Sequence, residues 1–216
     1  MQDPEPRQER VPEEQFEDLD KQGHAARLGI WIFLGSETLL FGALFALYVA
    51  YRTLYAEEFV AGVRHNDLAI GTINTFVLIT SSFTVAMAVH AARNHRARRV
   101  LLWLGLTVAL AAVFLVLKGV EYAHHFDEGI YPGSRYRFEE LDTSGAKLFF
   151  TLYFFMTGLH ALHVVGGMVA LVAIGAVHRR RPYDARYYVP LDAGALYWHL
   201  VDVVWIFLWP LLYLTR

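Results

Sequence analysis

Five long runs of apolar residues, separated by short polar segments, dominate the chain. They cover about 28–51, 68–91, 100–121, 148–177 and 193–214. A bilayer-spanning helix needs about 20 predominantly apolar residues, and each run is long enough. Strands of a membrane barrel would run to about 10 residues with strict apolar–polar alternation, which these runs do not show. The pattern predicts an all-α membrane protein, a bundle of five transmembrane helices within residues 28–216. The fourth run exceeds what a bilayer requires and predicts tilt or projection into water. Pro210, inside the fifth, predicts a kink, because proline has no backbone N–H and its ring crowds the preceding turn.

Residues 1–27 are polar, with eight acidic side chains against four basic ones. Pro4, Pro6 and Pro12 discourage a long helix there. The segment lacks a basic start followed by an apolar core, so it does not read as a signal peptide. It reads as a solvated, partly disordered cytoplasmic tail. Five crossings put this tail, the 92–99 loop and the 178–190 loop on one side. That side carries 12 Lys and Arg residues, and the other carries 7. The basic side is expected in the cytoplasm, with the C-terminus outside. Trp31 and Tyr48 fall near opposite ends of the first helix, as interfacial aromatics do. No internal repeat is evident, which weighs against the repeat-built transporters.

Composition narrows the chemistry. The 216 residues are 56% hydrophobic and 19% charged, with a net charge of −2. No basic field exists to hold nucleic acid. The chain has no cysteine, so disulfides, thiolate metal sites, iron–sulfur clusters and cysteine nucleophiles are excluded. Ten histidines remain as candidate ligands.

Ionisable groups inside a membrane are costly and face protein or water. The informative ones are Glu37, Glu121, His160, His163, His199 and Asp202. At about 1.5 Å per residue, Glu37 lies roughly 13 Å into the first helix. On the same scale His199 and Asp202 lie roughly 9 and 13 Å into the fifth helix. Glu121 falls near the outer end of the third. His160 and His163 are spaced i, i+3, as are His199 and Asp202, so each pair shares a helix face. Two readings of this spacing stand. One is a metal site of three imidazoles and a carboxylate. The other is a polar network of His160, His163, His199, Asp202 and Glu121 that fastens helix to helix without metal. Glu37 likewise reads either as a buried carboxyl that relays protons or as one hydrogen-bonded to a neighbouring helix.

The basic loops suggest contact with anionic headgroups through Arg93, Arg96, Arg179, Arg180 and Arg181. Gly158, Gly166, Gly167 and Gly175 in the fourth run are expected to admit a neighbouring helix closely. Trp198, Trp205, Phe207 and Trp209 make the fifth run bulky, as packing and interfacial anchoring require.

The residues also resemble a known family. Phe33-Leu34-Gly35-Ser36-Glu37 resembles the apolar run ending in Ser-Glu of subunit III of the haem–copper terminal oxidases, the cytochrome c oxidase type. Ile73-Asn74-Thr75 is similar to its Leu-Asn-Thr, and Glu121-Tyr122 closes an apolar run as it does there. Thr157-Gly158-Leu159-His160-Ala161-Leu162-His163-Val164 is close to Thr-Gly-Phe-His-Gly-Leu-His-Val. Tyr197-Trp198-His199-Leu200-Val201-Asp202-Val203-Val204-Trp205 is almost Tyr-Trp-His-Phe-Val-Asp-Val-Val-Trp. The likeness runs in order over about 27–216.

Many members of that family have seven helices; this chain resembles the five-helix form. The cleft that holds lipid between the first two helices and the rest is therefore missing from this chain alone. The resemblance implies a non-catalytic subunit of a proton-pumping oxygen reductase in aerobic respiration, set in a bacterial-type cytoplasmic membrane. It implies no cofactor bound by this chain, with haem and copper in the partner catalytic subunit I. Subunit II, other respiratory subunits and phospholipid are the further partners implied. It makes the histidines structural, with no metal, and matches Glu37 to the family's carbodiimide-reactive glutamate. Ser36-Glu37 favours cytochrome c as donor; subunit III of a quinol oxidase, or an accessory subunit of nitric oxide reductase, is the alternative. A membrane metalloenzyme with a His/Asp site is the alternative of another class.

Overall fold

The computed structural model describes residues 17–183 and 188–215. These residues form six α-helices and no strand. Helix α1 is Leu19–Leu54, α2 Ala56–His65, α3 Leu68–Arg93, α4 Ala97–Asp127, α5 Ser144–Arg180 and α6 Val189–Trp209. Pro210–Leu214 continues α6 as a wider π turn. Among the described residues, five helices are long and apolar enough to cross a membrane. They are the five expected, with α2 as a short addition between the first two.

Helix starts follow local chemistry. The Asp18 carboxylate accepts from Lys21 N at 2.7 Å and caps α1, so the helix begins nine residues before the apolar run. Residues 1–16 of the expected tail lie outside the described residues. Asp67 accepts from Ala69 N and Ile70 N to start α3, and Thr143 from Ala146 N to start α5. With 37 residues, α5 is about 55 Å long at 1.5 Å per residue. That exceeds the roughly 30 Å hydrocarbon core of a bilayer. At the other terminus the expected kink takes a definite form. The α-helix stops at Trp209, because Pro210 cannot donate, and the chain loosens into the π turn.

The bundle has an aromatic and aliphatic core into which α3 turns several of its polar side chains. On α3 Asn74, Thr75, Ser81 and Thr84 are buried along with Leu78, Val85, Ala88, Val89, Ala91 and Ala92. Ile73, Phe76, Ile79 and Phe83 face outward. This inward placement of the α3 polar groups suits a hydrocarbon surround, in which hydroxyls and amides must find partners in the protein. Helix α6 sits centrally and packs against α1, α3 and α5. Trp198 and Trp205 fill its inner face. The Trp198 indole donates to Ser81 Oγ and the Trp205 indole to Thr75 Oγ1, both at 3.0 Å. Of the four α5 glycines expected to admit a neighbouring helix, Gly167 does so: a Cβ there would lie 2.8 Å from the Trp198 ring. Gly158, Gly166 and Gly175 have no such close neighbour.

Tyr48 departs from expectation. Rather than sitting at a membrane interface it is fully buried, against Phe59 and Phe149. Its hydroxyl has a backbone acceptor in the π turn, which makes the inside the better place for it. Trp31 is exposed, as expected.

Two ends of the bundle are distinct. At one, the start of α1 meets the start of α6 through Gly23 and Val189. There too the end of α3 meets α6 through Arg93 and Asp192, and the end of α5 meets α4 through His178 and Ala97. The tail-side residues and the two Arg-rich segments therefore share one end. At the other, the 128–143 loop folds down on Ile130 and Tyr136, both buried.

Candidate functional site

The sequence grouped five intramembrane side chains into one network. The hydrogen bonds divide them among three places, because each helix turns its polar groups to a different neighbour.

The first place joins α1 to α5. His163 Nδ1 lies 2.8 Å from the Leu159 carbonyl, which can only accept, so Nδ1 donates. Nε2 is left facing Glu37 Oε2 at 2.8 Å. Two bare acceptors at that distance would repel, so one proton lies between them, on the carboxyl or on the ring. Tyr197 donates to the His163 carbonyl at 3.0 Å, and the Phe41 ring stands edge-on to the imidazole. Glu37 and His163 keep 15% and 16% of their side-chain surface exposed. They sit in a helix seam that opens outward from this chain, rather than in its core.

The second place is the buried centre between α4, α5 and the π turn. Sequence reading identified Glu121 here but counted Lys118 only as a loop-side positive charge. Lys118 Nζ donates to Glu121 Oε2 at 3.0 Å, to Tyr153 Oη at 2.9 Å and to Tyr213 Oη at 3.0 Å. Three ammonium hydrogens meet three acceptors. Both tyrosines then donate to Glu121 Oε1, at 2.7 and 2.5 Å. The signal that could have found Lys118 is its i, i+3 spacing to Glu121 inside an apolar run. Next to it, Thr157 donates to the Tyr153 carbonyl, so the Tyr122 hydroxyl donates to Thr157. His125 donates from Nδ1 to the Glu121 carbonyl at 3.0 Å. Above this cluster a cavity of about 560 Å³ opens among His65, Asn66, Asp67 and His124.

The third place is the middle of the bundle. His199 Nδ1 and Ser82 Oγ share a hydrogen bond of 2.6 Å between α6 and α3. Neither oxygen of Asp202 has a hydrogen bond of good geometry, although the Ser82 hydroxyl faces it. His160 is fully buried between the rings of Phe114 and Trp205, and neither of its nitrogens is bonded. Asn74 is in the same condition. His163 thus turns to α1, His199 to α3, and His160 to aromatic rings. Among the described residues no three His, Asp or Glu side chains gather as a metal ion requires. The residues do not fit the metal reading.

The arginines lie at the basic end. Arg93 reaches Asp192 at 3.7 Å and covers the Tyr188 ring at 4.9 Å. Arg96 is exposed at the turn between α3 and α4. Arg179 and Arg180 form the last turn of α5, where positive charge suits the helix end. Arg181 caps that helix with its backbone N–H.

Residues 19–215 match the family model described as Cytochrome c oxidase subunit III. The chain is 36% identical over 193 residues to a cytochrome c oxidase subunit 3 of Thermostichus vulcanus, covering 88% of this chain and 87% of that protein. It is 31% identical over 198 residues to that of Bacillus subtilis, covering 92% and 90%. It is also 32% identical over 196 residues to a probable quinol oxidase subunit 3 of Staphylococcus aureus, covering 89% and 90%.

Proposed function

The chain belongs to the cytochrome c oxidase subunit III family, and from that premise we propose that it is the accessory, non-catalytic integral subunit of a proton-pumping oxygen reductase. It lies in a bacterial cytoplasmic membrane with the Arg-rich end inward. It packs against catalytic subunit I, which holds the haems and copper, with subunit II nearby. The donor we assign is cytochrome c, as the names of the Bacillus and Thermostichus relatives suggest. The staphylococcal relative supports the alternative, a quinol.

The observation that carries the functional part is the Glu37–His163 bridge. It keeps one transferable proton inside the membrane, in a seam that a neighbouring subunit or lipid would complete. A group so placed supports proton uptake by the catalytic subunit and protects it from inactivation during turnover. The polar centres around Lys118 and His199 hold the bundle in shape. Arg93, Arg96, Arg179, Arg180 and Arg181 meet lipid headgroups.

The test is purification from native membranes through a tag on this chain, with a reduced-minus-oxidised visible spectrum. A haem spectrum accompanied by a large co-purifying subunit is expected, and the haem type names the oxidase class. A colourless, solitary chain in mild detergent would overturn the assignment.

A further inference from the structure

Helices α3 and α4 form an antiparallel hairpin with a very short turn. Arg96 N donates to the Ala91 carbonyl at 2.9 Å, and His95 takes a left-handed backbone with φ of 55°. This closure brings Met87, His90 and Ala91 of α3 opposite Arg99, Leu102 and Trp103 of α4. Each trio is spaced i, i+3, i+4 and so forms one helix face. With Arg96 they line a cavity of about 230 Å³.

The lining has two halves. Arg96, Arg99 and His90 stand at the turn. Met87, Leu102 and Trp103 lie one helical turn deeper, roughly 5 Å toward the membrane centre. No acidic residue occurs in the sequence from Leu68 to Val120. Arg93 is engaged by Asp192 and Tyr188, whereas Arg96 and Arg99 have no carboxylate within salt-bridge reach among the described residues. Two uncompensated cations therefore cap an apolar slot at the level of a bilayer surface.

We propose that this slot binds one anionic phospholipid. Its phosphate lies between Arg96 and Arg99 with His90 beside it, and the first acyl carbons lie against Met87, Leu102 and Trp103. Guanidinium pairs suit phosphate oxygens through parallel N–H donors. A free phosphate ion would satisfy the cations but leave the apolar half empty, so the occupant is a lipid. The inference rests on the reading that the Arg-rich segments meet headgroups. It goes further in selecting one cavity, one lipid class and two arginines.

The experiment uses the full chain in phosphatidylcholine nanodiscs, titrated with phosphatidylglycerol and read by native mass spectrometry. One retained phosphatidylglycerol is expected, undisplaced by inorganic phosphate. R96Q/R99Q should weaken its retention roughly thirtyfold, the product of two arginines acting near an anionic surface. L102S should weaken it with the charges intact. R137Q, in the loop at the other end of the bundle, is expected to leave it unchanged. If only R179Q/R180Q releases the lipid, the cavity is the wrong site while the broader reading stands; if no variant does, both fall. Displacement by phosphate alone, or equal retention of phosphatidylcholine, would overturn the proposal. So would capture of an acidic polypeptide at Arg96 and Arg99 in place of lipid.

Discussion

Tyr48 on α1 donates a hydrogen bond of 2.7 Å to the backbone carbonyl of Leu211, in the π turn that follows Pro210. One turn further on, Arg52 donates to the Thr215 carbonyl at 2.9 Å. Carbonyls in and just after the π turn thus become the acceptors that tie α1 to the bundle. Tyr48→Phe should remove one of two donors to the Leu211 carbonyl, leaving the Thr215 hydroxyl at 2.9 Å, and cost about 0.5–1.5 kcal/mol. A thermal melt of the purified chain checks this, and an unchanged Tm would show that the π turn finds another donor.

Glu37→Gln preserves shape and lets the amide donate to His163 Nε2. Assembly of the complex is expected to remain intact while the enzyme inactivates faster during turnover. His163→Ala leaves the Glu37 carboxyl without its partner and should lower stability by about 1–3 kcal/mol. Loss of the whole complex in Glu37→Gln would assign Glu37 to assembly instead.

The Lys118–Glu121 pair is buried and fully bonded. Lys118→Met alone strands a carboxylate among tyrosines and should cost about 3–5 kcal/mol. Lys118→Met with Glu121→Gln should recover much of that loss. A double-mutant cycle on denaturation midpoints measures the difference, and simple additivity would argue against coupling.

His199 and Asp202 share a helix face, yet they should respond differently. His199→Leu breaks the bond to Ser82 and should cost on the order of 1 kcal/mol, as intramembrane hydrogen bonds do. Asp202→Leu removes a buried carboxyl that lacks a well-formed bond, so Tm should hold or rise in the isolated chain. A larger fall for Asp202→Leu than for His199→Leu would contradict the geometry.

The 128–143 loop should loosen at high pH. Burial, and then the negative charge of Asp142, push the Tyr136 hydroxyl up from its usual 10.0 to about 12. An opened loop therefore releases that proton first, so the closed form loses stability as pH rises from 10 toward 12. Hydrogen exchange over the loop between pH 9 and 11 should show this opening, and Tyr136→Phe should abolish its pH dependence. Equal pH dependence in both chains would point to another group.

The spanning helices were legible because hydrocarbon imposes one rule on every lipid-facing position, and the apolar runs obey it. Helix ends were less so. Asp18 caps α1 from within a polar segment whose composition argued against helix. The short α2 escaped notice because its buried face is only Phe59, Gly62 and Val63. Site residues were legible as types and not as partners. Spacing put His160 and His163 on one face, but whether a ring meets Glu37 or Trp205 depends on which helix packs there. Glu37 and His163 are 126 positions apart, and no local pattern encodes that meeting. Lys118 was masked by its place near a helix end, where a lysine ordinarily reaches water.

The ties of α1 to the π turn also set an order of events. Tyr48 and Leu211 are separated by 163 positions, as are Arg52 and Thr215. A chain made from its N-terminus inserts α1 long before those carbonyls have been synthesised. For that interval the Tyr48 hydroxyl and the Arg52 guanidinium must rest on lipid, water or an insertion chaperone. Helix α1 gains its Glu37–His163 tie earlier, and a ribosome stalled before residue 211 would leave only its C-terminal end unlocked.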